Sequence, residues 1–224
     1  LIPQLGLALF LAFVLNSGLV RFKDAYRTAF FTPIIASSIA ITLVFASLFG
    51  RNYGLLNQLL GVIGIGPIDW LGSAAWIKPA IAIVVVWRYF GWHTIIYLAG
   101  LQSIPTDLYE AARVDGATWR DILLRITIPL LRPVITFTVI LSIIGSLQLY
   151  EEPVMLTGGP SGGDRAGAPG GTDGAGLTVM VYLYNVAFSY VRFGYAATMS
   201  VALFVVIVCF SVLYNRFLGR NLTD

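Results

Sequence analysis

The residues of this chain with the clearest chemical pattern lie in a short polar stretch between two long apolar segments. The stretch begins with Pro105-Thr-Asp-Leu-Tyr-Glu-Ala-Ala-Arg-Val-Asp-Gly116 and, nine residues later, ends with Ile126-Thr-Ile-Pro129. Proline suits the first turn of a helix and glycine suits the residue that ends one. Thr118 and Asp121 then approximate a capping box for a second helix. The pattern therefore predicts a helical hairpin over residues 105–126.

The side chains of this hairpin suggest contact with a second protein. Glu110 offers one negative charge, and Ala111 and Ala112 are strong helix formers whose small side chains let a partner approach the backbone. Membrane proteins seldom need an ordered, charged hairpin merely to join two helices. We interpret it as a docking surface, and an amphipathic connector at the membrane interface is the alternative.

A second set of polar residues interrupts the apolar segment after the hairpin. Thr138, Ser142 and Ser146 recur every fourth residue and share one helical face, and Gln148 and Tyr150 follow near its outer end. Such side chains could line a water-filled route for a polar solute. Ordinary packing between membrane helices uses the same residue types, so both interpretations stay open.

The apolar segment before the hairpin carries Arg88, with His93 five residues later and aromatic side chains around them, including Tyr89 and Trp92. An arginine at mid-membrane costs at least about 2.5 kcal/mol on insertion scales, so Arg88 should face a cavity or a partner. A structural pairing with a nearby carboxylate is the alternative, and we name the candidates as Glu151, Glu152 or a partner chain. His93 could relay protons, although a lone histidine is more often a packed, hydrogen-bonded residue.

Composition places these residues in a membrane. Hydrophobic residues make up 58% of the 224 residues and charged residues 11%, against about 25% charged in a soluble domain. Spans in lipid must satisfy their own backbone, so we expect an all-α integral membrane protein that forms one transmembrane domain over residues 1–224. About five spans are expected: Leu1–Leu19 (incomplete), Ala29–Phe49, Ile77–Leu101, Ile128–Tyr150 and Tyr195–Phe217. The chain starts inside an apolar stretch without methionine, so we expect further residues upstream, with one more span as an open alternative.

Basic residues predict the orientation of these spans. Nine of the fourteen lie in the first connection, in or beside the hairpin, or after the last span, which places those regions in the cytoplasm. The hairpin and the C-terminus are then cytoplasmic. Residues 157–177 contain nine glycines and two prolines and are expected to form a flexible extracytoplasmic loop. Residues 179–191 show apolar and aromatic residues at helical spacing and predict a short helix that lies at the outer surface or dips back inward.

The hairpin pattern resembles the EAA loop of binding-protein-dependent ABC importer permeases. Glu-Ala-Ala, three residues, Gly, nine residues and Ile-x-x-Pro match, although Ile128 stands where leucine is usual. The stretches Leu98–Pro105, Tyr109–Ala117, Leu156–Pro160 and Tyr182–Ala197 look like the carbohydrate-uptake branch, and Leu-Thr-Gly-Gly-Pro is similar to the maltose-type first permease.

This resemblance implies a type I ABC importer permease fold in a bacterial or archaeal cytoplasmic membrane. The implied partners are a second permease, two ATPase subunits that hold ATP and Mg²⁺, and an extracytoplasmic solute-binding protein. The implied transport is sugar import by alternating access. The resemblance assigns ATPase coupling and a sugar route to these residues: Glu110, Ala111, Ala112, Asp115 and Gly116 for coupling; Arg88, Tyr89, Trp92, Ser142, Ser146, Gln148 and Tyr150 for the route.

Other functions remain open at this point. A permease of the same superfamily could carry glycerol phosphate or a peptide, and Arg88 would suit an anionic solute. An ion-driven transporter or channel using Arg88 and His93 would have no need of the hairpin. The sequence contains no catalytic triad, metal-ligand cluster or nucleotide fingerprint, so we expect no enzymatic site and no cofactor bound by this chain.

Overall fold

The structure of this chain, a computed structural model, describes residues 1–17, 20–158 and 170–216. Within these ranges every regular element is helical, as the all-α prediction requires. Helical turns of π type cover Leu123–Thr127 and Asn185–Ser189, and a 3₁₀ turn covers Thr172–Gly174. The α-helices are α1 Ile2–Asn16, α2 Lys23–Ile35, α3 Ser38–Leu48, α4 Leu55–Val62, α5 Ile77–Gln102, α6 Thr106–Val114, α7 Trp119–Ile122, α8 Ile128–Leu147, α9 Glu151–Leu156, α10 Val179–Tyr184 and α11 Phe193–Tyr214.

Three helical runs in the described part of the chain are long and apolar enough to cross a membrane. They are α5, the run Trp119–Leu147 that contains α7 and α8, and α11. These runs confirm three of the expected spans. Their ends differ, because α8 stops at Leu147 rather than Tyr150 and α11 stops at Tyr214, with Phe217 outside the described residues.

The second expected span needs correction, and the first stays a prediction. The span over Ala29–Phe49 is broken, since α2 ends at Ile35, α3 begins at Ser38, and the two helices are bent by 96°. Pro33 removes a backbone donor from α2, and the ψ of 127° at Ser37 is not helical. Helix α1 covers 15 residues of the first expected span, which the sequence predicts as incomplete, so that span stays a prediction. The described residues therefore hold three candidate spans, or up to four if the bent pair counts as one, instead of about five.

The chain divides into two compact units, each with its own apolar core. The first unit comprises the described residues of Leu1–Ile34, Tyr89–Ile143 and Cys209–Asp224. In its core, Ala8 and Ala12 of α1 pack with Leu98 and Leu101 of α5 and with Leu131 of α8. Small side chains on α1 let these helices approach each other, which is how membrane helices gain packing energy.

A glycine on α5 permits another close approach within the first unit. A Cβ added at Gly91 would lie 1.8 Å from the carbonyl oxygen of Phe30 on α2. The rings of Phe30 and Phe90 also meet edge to face, with centroids 5.5 Å apart. The contact between α2 and α5 therefore requires a residue without a side chain at position 91.

The second unit comprises Ile35–Arg88 and the described residues of Ile144–Val208. Its core joins Ile77 and Val84 of α5 to Phe49 and Trp70. Asn57 holds the connection before α5, because its Oδ1 accepts hydrogen bonds from the Trp70 Nε1 at 3.0 Å and the Ile68 amide at 3.1 Å. A buried amide that is bonded in this way gives a loop a defined conformation.

The glycine-rich loop is described only in part, since residues 159–169 lie outside the described residues. From residue 170 onward the chain forms a turn, in which the Gly176 amide donates to the Gly170 carbonyl at 2.8 Å. The Thr172 hydroxyl donates to the Gly72 carbonyl at 2.8 Å. This end of the loop is thus fixed to the connection before α5.

The Gly91 contact yields a stability prediction. Gly91→Ala should lower the free energy of unfolding by on the order of 1–3 kcal/mol, because the added methyl group overpacks a site that backbone atoms already fill. Thermal unfolding of the purified protein in detergent measures the effect. Gly145→Ala is the matched control, since a Cβ there has nothing within 4 Å and alanine favours helix. Equal melting temperatures for the two variants would contradict this packing.

Candidate functional site

The segment over residues 105–126 that the sequence predicts as a hairpin contains α6, a tight turn at Gly116 and α7, and it is called the hairpin below. Pro105 precedes α6, and Asp107 lies in its first turn, where a negative charge meets the positive end of the helix dipole. Gly116 ends the helix with φ of 78°, the left-handed conformation expected for it. The Ala117 amide closes the turn by donating to the Ala112 carbonyl at 2.9 Å. The bend of the hairpin is therefore built by local backbone geometry.

The second arm of the hairpin begins with the expected capping box. The Thr118 side chain accepts from the Asp121 amide, and the Asp121 carboxylate accepts from the Thr118 amide. The arm then differs from expectation, because it does not stop before the next span. The π turn Leu123–Thr127 joins α7 to α8, so that the helical run Trp119–Leu147 is continuous.

Pro129 explains why a π turn lies at this junction. A proline inside an α-helix lacks the amide that would bond to the carbonyl one turn earlier, and its ring crowds that carbonyl. A π turn widens the helix by one residue per turn, and here the Ile128 amide donates to the Leu123 carbonyl. The Thr127 hydroxyl donates to the Ile122 carbonyl at 3.2 Å and gives this wider turn a further bond.

The outer surface of the hairpin is open to a partner. Neither α6 nor α7 buries any residue, and Glu110, Ala111 and Gly116 are exposed. The apolar side chains of Leu108, Val114 and Trp119 are 44%, 87% and 69% exposed. Exposed apolar side chains next to charged ones are typical of a protein-binding surface.

The inner side of the hairpin contacts the body of the first unit through Tyr109. Its ring packs against the core that α1, α5 and α8 share. The Thr127 hydroxyl lies 3.4 Å from the Tyr109 hydroxyl and links α6 to the π turn. The hairpin is therefore attached on one side and exposed on the other.

Arg88 in the second unit is buried in a cluster of carboxylates. Its Nη1 lies 2.7 Å from Glu152 Oε1 and 3.3 Å from Glu151 Oε2. The side chains of Arg88 and Glu152 are 9% and 3% exposed, whereas that of Glu151 is 58% exposed and also accepts a hydrogen bond from Ser38. This is the structural pairing that the sequence left open. The charge of Arg88 is compensated within its own chain.

His93 in the first unit is a packed residue with hydrogen bonds at both ring nitrogens. Its Nδ1 lies 2.8 Å from the Tyr89 carbonyl, and its Nε2 lies 2.9 Å from the Ser142 hydroxyl. A carbonyl only accepts, so we assign the proton to Nδ1, and Ser142 then donates to Nε2. Gln4 Nε2 is 3.3 Å from Nδ1 and cannot donate to it in this tautomer. The hydrogen bond between His93 and Ser142 links α5 and α8.

The other residues expected along the route belong partly to the first unit and partly to the second, and their role stays a prediction. In the first unit, Trp92 packs on Phe31 with ring centroids 5.8 Å apart and is 36% exposed. In the second unit, Ser146 is exposed and Tyr150 packs on Tyr184 at 5.0 Å between centroids. Gln148, just beyond α8, lines a cavity of about 420 Å³ with Met180 and Ser200 among its neighbours.

Comparison with known proteins identifies the family. A family described as the binding-protein-dependent transport system inner membrane component matches residues 4–221. This chain belongs to that family. The permease has the fold of solved ABC importers as well, since a bacterial transporter that imports the acidic polysaccharide alginate superposes with a TM-score of 0.82 at 23% identity, over 97% of this chain and 73% of the other.

Relatives with closer sequences carry names from sugar transport. The permease is 39% identical to the lactose transport system permease protein LacF of Rhizobium radiobacter, over 94% of this chain and 68% of that protein. It is 33% identical to the arabinooligosaccharides transport system permease protein AraP of Bacillus subtilis, over 98% and 67%. It is also 33% identical to the trehalose/maltose permease MalF of Thermococcus litoralis, over 97% and 69%. The chain thus spans about two thirds of the length of these relatives.

Sequence reasoning missed several residues that shape these sites. Gln4 and Ser38 contact His93 and Glu151, yet they lie 89 and 113 residues away along the chain. Asn185 is 2% exposed and bonds to the Val181 carbonyl at 2.8 Å. Only Asn185 carried a local signal, since an amide within an aromatic, apolar stretch must find buried partners.

The Arg88 cluster gives the second prediction. Glu152→Ala should destabilise the permease by on the order of 3 kcal/mol, because removing one partner of a buried ion pair leaves the other charge poorly compensated. Thermal unfolding in detergent measures the loss. Glu151→Ala is the matched control and should cost much less, since that carboxylate is largely exposed.

A double variant separates charge from packing in the same experiment. Arg88→Met with Glu152→Met replaces the pair by apolar side chains of similar length and should recover most of the lost stability. A Glu152→Ala protein that melts at the wild-type temperature would show that the pair does not hold α5 and α9 together.

Proposed function

We propose that this chain is the membrane-spanning permease subunit of an ATP-driven, binding-protein-dependent importer of a sugar, either a mono- or an oligosaccharide. The observation that carries this proposal is the group of relatives named for lactose, arabinooligosaccharide and trehalose/maltose transport, which align over more than nine tenths of the chain. The polar residues on α5 and α8 are compatible with a hydrogen-bonding route for such a solute.

The proposed coupling site is the exposed side of the hairpin. Glu110 would pair with a basic residue of the ATPase, and Ala111 and Ala112 would let the two backbones approach. Asp115 and Gly116 would present the bend to the partner. This assignment is supported by the exposure of Glu110 and Ala111 and by the apolar side chains beside them.

The continuous run Trp119–Leu147 suggests how motion would pass from the hairpin to the membrane. Closure of the ATPase dimer would move the docked hairpins together. Because the second arm of each hairpin is one helix with α8, this span would tilt with it and change the side from which the route is open. Alternating access would then need no ATP chemistry in this chain, since ATP and Mg²⁺ would bind to the ATPase subunits.

The proposed assembly contains a second permease, two ATPase subunits and an extracytoplasmic solute-binding protein. A solved structure with the same fold is of an alginate transporter in complex with a sugar-bound periplasmic protein. The distribution of basic residues supports a cytoplasmic hairpin and C-terminus. The solute-binding protein would then deliver sugar from the opposite side of the membrane.

The surroundings of Arg88 and His93 make an anionic solute and an ion-driven carrier weaker alternatives to sugar import. Arg88 favoured an anionic solute such as glycerol phosphate in the sequence, but Glu151 and Glu152 surround its charge with negative groups. We therefore assign Arg88 and the buried Ser142 positioning roles and keep the exposed residues Trp92, Ser146 and Gln148 as candidates for contact with sugar. Family membership argues against an ion-driven carrier, and the packed state of His93 gives no support to a proton relay.

Reconstitution tests the transport and coupling assignments together. Proteoliposomes with the complete importer and its binding protein should accumulate at least one of lactose, trehalose and arabinobiose when ATP is supplied to the ATPase. Glu110→Lys should reduce this accumulation at least tenfold, because it reverses the charge that faces the ATPase. Uptake of labelled sugar and co-purification of the ATPase are the two measurements.

Asp107→Lys provides the matched control, as it makes the same charge change in the first turn of the same helix. It should retain most of the uptake, and both variants should insert into the membrane normally. Wild-type uptake by the Glu110→Lys importer would refute the coupling role. Accumulation of a peptide or glycerol phosphate in place of every sugar would refute the proposed substrate class.

A further inference from the structure

An open cavity of about 430 Å³ lies between α10 and the start of α11 in the second unit. Its lining consists of three tyrosines, one arginine and one valine: Tyr182, Val186, Tyr190, Arg192 and Tyr195. Small-molecule sites in proteins usually occupy about 300–1,000 Å³ and combine aromatic walls with a few polar groups. None of these residues belongs to the sugar route or the coupling site assigned above.

The backbone at this cavity is built around a π turn. The Tyr190 amide donates to the Asn185 carbonyl at 2.9 Å, five residues earlier. Asn185 is buried, and its side chain bonds both to the Val181 carbonyl at 2.8 Å and to the Ser189 hydroxyl at 3.1 Å. Such turns are rare in proteins and often lie at functional sites. Here the turn is held by buried hydrogen bonds.

The residue that follows the turn is strained. Val191 has φ of 54°, and a β-branched residue with positive φ is a genuine outlier. The Arg192 amide donates to the Val186 carbonyl at 3.0 Å and holds the chain in this conformation. The strained residue separates Tyr190 from Arg192, and both line the cavity. Strain of this kind tends to persist where it positions side chains for binding.

Aromatic contacts connect the parts of the same segment. Tyr184 stacks on Phe188 with centroids 4.7 Å apart, and Phe188 meets Phe193 edge to face at 6.1 Å. These ring contacts connect α10 and the π turn to the start of α11. The cavity side is left with Tyr190 and Tyr195, which are 58% and 57% exposed. The tyrosines of the cavity are therefore accessible to a ligand.

The cavity lining also includes the guanidinium group of Arg192, which can form two hydrogen bonds to one ligand. In the described part of the chain, no carboxylate lies within ion-pair distance of Arg192. A guanidinium group can donate two parallel hydrogen bonds to a pair of oxygens. A tyrosine ring presents an apolar face and a hydroxyl group. A pyranose ring matches both, since its C–H faces are apolar and its hydroxyl oxygens lie side by side.

We propose that Tyr182, Tyr190, Arg192 and Tyr195 form a saccharide-binding subsite that takes one pyranose ring of the transported sugar. One tyrosine ring stacks on the sugar face, and Arg192 donates to two neighbouring oxygens. This subsite rests on the proposed sugar-import function and adds a binding place outside the α5 and α8 route. A partner protein on the same surface is the competing occupant, but a flat interface would not need a strained, concave support.

The test uses the intact importer in nanodiscs, without binding protein or ATP, and the sugar that the wild type accumulates among lactose, trehalose and arabinobiose. Saturation-transfer NMR measures the apparent Kd. Tyr190→Ala and Arg192→Ala should each raise the Kd at least fivefold. Arg192→Lys should raise it less than Arg192→Ala, since the charge remains and the bidentate geometry is lost. Tyr53→Ala, which removes a tyrosine that is 89% exposed elsewhere in the same unit, should leave it unchanged.

Three other results overturn the subsite and are distinguishable from one another. Unchanged Kd in both alanine variants of a transporting importer removes the subsite and leaves the proposed function intact. Unchanged Kd with loss of the second permease or of binding-protein association makes the cavity a protein interface. Failure of the wild-type importer to accumulate or bind any of the sugars removes the proposed function and the subsite together.

Discussion

The feature on which the structure depends most is an unbroken helix. The second arm of the hairpin and the following span form a single helical run. A loop between them would let the hairpin move while the span stayed still. The π turn Leu123–Thr127 instead absorbs the missing amide of Pro129 and keeps the axis unbroken from Trp119 to Leu147. The small, exposed and charged hairpin is thereby joined directly to the apolar span α8. This arrangement fits the proposed role of the chain as a subunit that a separate ATPase drives.

Helix α5 is the second element on which the fold depends, because it carries a buried polar residue in each unit. Arg88 pairs with Glu152 in one unit, and His93 bonds to Ser142 in the other. At roughly 100° per residue, five positions separate the two side chains by about 140° around the helix, so they use different faces. Buried polar pairs of this kind fix the rotation of a helix about its own axis. They give Arg88 and His93 a structural role.

Conformational rules for one or two residues predicted the turn and the helix ends within residues 105–126, whereas contacts between distant residues were not predicted. Proline before α6, positive φ at Gly116 and the capping box at Thr118 each follow from the conformational limits of one or two residues. The break within residues 29–49 was not predicted, since hydropathy alone does not register the effect of Pro33 or the non-helical backbone of Ser37. Neither the contact of Ser38 with Glu151 nor that of Gln4 with His93 has a local signal. The strained cavity beside Val191 was equally hidden, because a π turn depends on hydrogen bonds that no periodicity reveals.

The central claim is that the hairpin and α8 move as one body when the motor closes. Spin labels at Arg120→Cys and Leu141→Cys, in a Cys209→Ser background, report on this directly. Twenty-one residues of helix separate them, or about 31 Å at 1.5 Å per residue, which pulsed electron paramagnetic resonance can measure in the assembled importer. We expect one narrow distance distribution, unchanged between the nucleotide-free and ATP-bound states. A shift of more than about 5 Å on ATP binding, or a broad second population, would contradict the rigid connection between hairpin and span.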